Sequence, residues 1–135
     1  LKQEGFKLGA ISNYLENALI NAIFRNTPYT SPTTVYAALY TSDPTDTDVG
    51  TEVSGGGYVR QPITFGAPNN GVASNSADVV FPVATADWGT ITHFGIRDAE
   101  TGGNLLYYGP LTVNKTILAG DQLIIKTGNI TVSLD

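Results

Sequence analysis

Only one stretch of this chain repeats its apolar residues at helical spacing, and everything after it alternates. In "SNYLENALINAIFRN", Tyr14, Leu15, Ala18, Leu19, Ala22 and Ile23 recur at i, i+3 and i+4 and form a continuous stripe. Asn13 is the expected N-cap, with Glu16 three residues on as its capping-box partner. Asn26 is placed to end this helix, predicted over about residues 13–25, and Pro28 and Pro32 bar its continuation.

From Pro32 onward the residues have strand chemistry. "TTVYAALYT" sets Val35, Ala37 and Leu39 against Tyr36, Ala38 and Tyr40, which suits a strand covered on both faces. "YVRQPITF" places Val59, Ile63 and Phe65 on one side, and Pro62 lacks a ladder donor, so an edge strand or a bulge is predicted. A further strand centres on Val79 to Phe81. "TITHFGIRDA" and "NLLYYGPLTV" read as a hairpin closed by "AETGGN", whose glycines supply positive φ. Short strands separated at Gly120-Asp121 and Gly128-Asn129 end the chain. Such spacing indicates a mainly β fold, an antiparallel sandwich or barrel-like domain with one N-terminal helix.

With 135 residues, one domain is expected. A chain of this size buries roughly 68–70% of its unfolded surface, enough for a core without cross-links. Residues 12–135 are assigned to that domain. Residues 1–11 have little reason to fold alone and are set apart as an arm able to reach a neighbouring subunit.

Composition removes several classes of function. There is no cysteine, hence no disulfide, thiolate metal site or cysteine nucleophile. The formal charge is −5 and the seven Lys and Arg are scattered, which argues against a nucleic-acid partner. No apolar run approaches the ~18–20 residues of a membrane span. The apolar patch in "LKQEGFKLGAIS" is too short for a signal sequence.

Candidate chemistry is sparse. His93 is the only histidine, so a zinc site lacks its second and third ligands, and no GxSxG elbow accompanies it. Strict alternation puts His93 on the face of Ile91 and Gly95, opposite Phe94 and Ile96. Asp43, Asp46, Asp48 and Glu52 are weak metal candidates: close carboxylates suit calcium, but the spacing is not that of an EF-hand loop. Asp78, Asp87, Asp98 and Glu100 stand near strand ends, with nothing to pair them as a glycosidase would need. "SGGGY" has no GK[ST] and opens no helix, so it reads as a tight loop leading into Tyr58 rather than a phosphate cradle. Trp88, Phe94, Tyr107 and Tyr108 suit either a core or a contact platform; being adjacent, Tyr107 and Tyr108 point to opposite faces. No catalytic residue and no cofactor is expected.

"SNYLENALINAIFRNTPYTSPTTVYAALYTSDPTD", "EVSGGGYVRQPITFG" and "ADWGTITHFGIRDAETGGNLLYYGPL", in that order, resemble a family of small tailed-bacteriophage virion proteins often described as tail-fibre-like. The resemblance spans about Ser12 to Asp135. It implies a non-enzymatic structural protein of the phage particle, made in the host cytoplasm. Compactness and the lack of shaft repeats favour a capsid decoration, or cement, protein. The alternative is a tail or tail-fibre module contributing to assembly or to host-glycan adhesion. Expected partners are other virion proteins and further copies of the chain, with a glycan possible and no nucleic acid or membrane. Phe6, Tyr58, Trp88 and Tyr108 are the interface candidates, together with the 43–57 loop.

Overall fold

The computed structural model describes residues 9–134. In chain order its elements are β1 (Ala10–Ile11), α1 (Asn13–Phe24), β2 (Val35–Tyr40), β3 (Gln61–Ile63), β4 (Val72–Ser74), β5 (Val79–Val80), β6 (Gly89–Arg97), β7 (Leu105–Ile117), β8 (Ile124–Ile125) and β9 (Thr131–Ser133). Five strands form one sheet in the order β1-β7-β6-β2-β3, while β4 pairs with β9 and β5 with β8. Every pairing is antiparallel. The fold is thus mainly antiparallel β with one N-terminal helix, as the strand spacing predicts.

The β6–β7 hairpin and β2 carry the interior. Ala37 and Leu39 of β2 enter the main core with Phe81, Ile91, Phe94 and Ile96, while Ala38 and Tyr40 pack with Leu105 on the reverse face. That explains the unbroken apolar run of β2, covered on both sides as expected. β3 lies at the edge of the sheet, where Pro62 stands opposite Tyr36 and its missing N–H costs no ladder bond. In α1, Leu15 packs against the core, Ala18, Leu19 and Ala22 are half-buried, and no residue is fully buried. The helix ends as predicted: Asn26 takes a left-handed conformation (φ 51°), and the Thr27 N–H reaches back to the Asn21 carbonyl at 2.9 Å.

Three local features differ from the expectations. Ser12, not Asn13, caps α1: its Oγ accepts from the Leu15 N–H at 3.2 Å and donates to the Leu105 carbonyl. Glu16 therefore falls one position too late for a capping box. Ala10 and Ile11, assigned to the arm, are an edge strand paired with Tyr108 and Tyr107. The register of β6 on β7 shifts between Ile91 and His93, so Ile91 shares the core with Phe94 and Ile96. His93 consequently does not lie on the face of Ile91; a bulge resets the alternation.

Candidate contact surface

At one end of the large sheet, two buried arginines tie the 43–57 loop to the β6–β7 turn. Arg97 forks onto Asp48, with Nη1 to Oδ1 and Nη2 to Oδ2 both 2.8 Å. It also donates to the Tyr40 hydroxyl at 2.9 Å and to the Gly103 carbonyl at 2.9 Å. Arg60 grips Glu52 in the same forked manner, at 2.8 and 2.7 Å, and donates to the carbonyls of Ala99 and Gly102. Both arginines are under 10% exposed, Arg60 at 8% and Arg97 at 7%, so each guanidinium is screened little by water. Burial works against charge on Arg97, yet its bonds to Asp48 and Tyr40 prevail and raise its pKa. Burial likewise raises the Glu52 carboxyl, but bonds from Arg60 and Tyr58 prevail and hold it below the usual range.

The four acidic loop residues are thereby divided among different partners. Asp43 accepts from the Thr45 N–H at 2.9 Å and lies 3.8 Å from His93. Asp46 accepts from the Tyr108 hydroxyl, and its carbonyl accepts the Asn13 N–H at 3.0 Å, joining the loop to the start of α1. Asp48 and Glu52 belong to the arginines. Among the described residues no three His, Cys, Asp or Glu side chains gather to hold a metal ion. Away from the loop, Asp78, Asp87 and Asp98 each accept a turn N–H, from Thr127, Ala119 and Asn104. His93 bonds through Nδ1 to the Thr92 hydroxyl at 2.8 Å.

The aromatics of this end face inward. Tyr58 stacks on Phe81 with centroids 6.2 Å apart and meets Trp88 edge-on at 5.5 Å. Trp88 is 5% exposed and donates its indole N–H to the Gly56 carbonyl at 2.8 Å. Gly56 has φ +60°, and a Cβ there would meet Ala86 backbone and the indole at 2.9 Å, so the glycine run is a closely fitted lid on Trp88. The Tyr58 hydroxyl donates to Glu52 at 2.6 Å and accepts the Leu39 N–H at 3.0 Å. Of the residues marked in the sequence, Trp88 is thus taken up by the core, Tyr58 and Tyr108 are half-buried behind the loop, and Phe6 lies outside the described residues.

Sequence reasoning missed the outer face of α1. Ile20, Ile23 and Phe24 are 53%, 71% and 80% exposed and stand at i, i+3 and i+4, so they form one apolar patch. The available signal was the width of the stripe: with Ile20 and Phe24 added to Ile23, α1 carries more apolar surface than one contact with a sheet can cover.

No curated protein matches this chain. A family model described as podophage GP4 fiber I protein gp80 matches residues 10–133, nearly its whole length. The preference for capsid decoration, drawn from compactness and missing shaft repeats, is not supported, because the match is to a fibre protein. A fibre can draw its length from other chains, so the size of one component says little about its place. Extending from β1 to the last strand, the match shows that the chain belongs to the podophage GP4 fiber I protein gp80 family, structural fibre components of the phage virion.

Proposed function

We propose that this chain is a non-enzymatic module of a tail fibre that joins its assembly through the outer face of α1. The observation behind this reading is the patch of Ile20, Ile23 and Phe24, with Phe24 at 80% exposure, on a helix that buries no residue fully. An exposed apolar cluster on a folded domain favours burial by a partner at roughly 25 cal/mol per Å² covered. The partners are other fibre or tail proteins and further copies of the chain. The loop end presents one fixed shape: Arg60 and Arg97 hold the carbonyls of the β6–β7 turn, and Asp46 ties the loop to the start of α1. A glycan at that end has less support, since Trp88 and Tyr58 turn their rings into the core.

The test is Phe24→Asp, made in the phage. Phe24 touches solvent, so the isolated variant is expected to keep its Tm within a degree or two. Its copy number in purified particles, measured by quantitative mass spectrometry against the tail proteins, is expected to fall at least tenfold. Wild-type occupancy by the variant would overturn the assignment of this face. Wild-type copies matching the major capsid protein in number would overturn the tail location.

A further inference from the structure

A cleft of about 290 Å³ opens between α1 and the segment that follows it, and Ile20, Ile23 and Phe24 do not line it. Tyr14, Asn17, Ala18 and Asn21 stand at i, i+3, i+4 and i+7 and form its helical wall. Thr27, Pro28 and Tyr29 form the other wall. We propose that this cleft binds one ring of a neutral saccharide.

The second wall is held in place by the helix end. Asn26, at φ 51°, turns the chain, and the Asn21 carbonyl accepts the Arg25 N–H at 3.2 Å and the Thr27 N–H at 2.9 Å. The ring of Pro28 then fixes its own φ, so Tyr29 returns beside α1 in a set course. The chemistry of the walls is that of a sugar site. Two tyrosine rings, Pro28 and the Ala18 methyl give apolar surface for the C–H face of a pyranose, while the phenol hydroxyls add polar tips. The Asn17 and Asn21 amides match neighbouring sugar hydroxyls, since an amide both donates and accepts. Arg25 donates to Asn21 Oδ1 at 2.9 Å, which leaves the Asn21 NH2 to give. Among the described residues, nothing bonds to the Asn17 amide or to the Tyr14 and Tyr29 hydroxyls. Tyr14 is 42% exposed and Tyr29 half-buried, so both can be reached from solvent. Burial first, then Tyr14 and Asp98, raises the Tyr29 pKa, which keeps that hydroxyl a neutral donor.

No Lys, Arg, Asp or Glu lines the cleft among the described residues, so a phosphate or a uronic acid finds no counter-charge there. Its volume lies just below the roughly 300–1,000 Å³ of small-molecule sites, which suits a single ring better than a peptide. One ring in so open a cleft binds weakly, with a Kd on the order of 1–10 mM. Several copies in one fibre raise that by avidity, by about 10²–10⁴ where the geometry lets them engage together. Phe24→Asp leaves the walls of the cleft intact, so this site and the contact face of α1 are tested separately.

The test is saturation-transfer NMR on the full chain with glucose, galactose, rhamnose and N-acetylglucosamine, each supplied free at millimolar concentration. At least one is expected to receive magnetisation, and Tyr14→Ala and Asn17→Ala, both at exposed positions, are expected to weaken it at least fivefold while leaving Tm unchanged. No transfer to any of the four would overturn the proposal, as would full binding by both variants. Stronger binding of glucuronate or of a proline-rich peptide than of all four would overturn the neutral-saccharide assignment. Lipopolysaccharide and exopolysaccharide purified from the phage's host, immobilised separately, then identify the source. Retention on either, lost in Tyr14→Ala, supports the site; retention on neither counts against it.

Discussion

Glu52 is the residue on which the loop end turns. It accepts from Arg60 twice and from Tyr58 once, and Tyr58 in turn accepts the Leu39 N–H, so one carboxylate links the loop to β2. Its folded pKa lies below the ordinary value of 4.5, because bonds from Arg60 and Tyr58 outweigh the opposing effect of burial. A group depressed in this way contributes stability that is present above the unfolded pKa and lost as pH falls through the folded one. Tm is therefore expected to hold from neutral pH to about 5 and to decline below it. Glu52→Gln should start from a lower Tm at pH 7 and show a shallower acid decline. Thermal melts of both proteins from pH 7 to pH 3 check this; parallel acid limbs would show that other carboxylates govern the response. Neither arginine network was legible in the sequence: Glu52 and Arg60 stand eight residues apart across a loop with no period to place them, and Arg97 and Asp48 are 49 residues apart.

At the scale of elements, what could be read was what is local. The helix showed in its 3.6-residue period, the β6–β7 hairpin in its turn glycines, and the edge position of β3 in Pro62. What failed to show was set by distant packing. Ser12 and Asn13 are both good cap residues, and the choice falls to Ser12 because its hydroxyl also reaches Leu105, 93 residues away. The face of His93 was lost to an irregularity in the β6–β7 pairing, where Ile91 stands opposite Lys115 and His93 opposite Pro110. The width of the α1 stripe was visible, but which side the sheet would cover was not. The cap gives the sharpest test. Ser12→Ala removes one helix cap and one buried bond and is expected to cost about 1–2 kcal/mol. Asn13→Ala leaves both in place, since the Asn13 contact to Asp46 runs through its backbone, and should cost less than about 0.5 kcal/mol. Urea unfolding of the two variants separates these outcomes, and equal losses would return the cap to Asn13.

The whole molecule carries −5, which sets how its copies meet one another. Two like-charged domains repel at low ionic strength, where the Debye length is about 30 Å at 0.01 M, and hardly at all at 1 M, where it is about 3 Å. Contacts made by Ile20, Ile23 and Phe24 contain no charge to be screened, so salt removes the repulsion and leaves the attraction. Association through the α1 face is therefore expected to strengthen between 0.05 and 0.5 M sodium chloride, by a few-fold in Kd as an order of magnitude. An interface built on ion pairs responds the other way, since the same salt weakens exposed pairs. Sedimentation equilibrium of the wild type across that range, with Phe24→Asp as the control, distinguishes the two. Association that weakens steeply with salt, or that the variant retains in full, would move the contact from the helix to the charged surface of the domain.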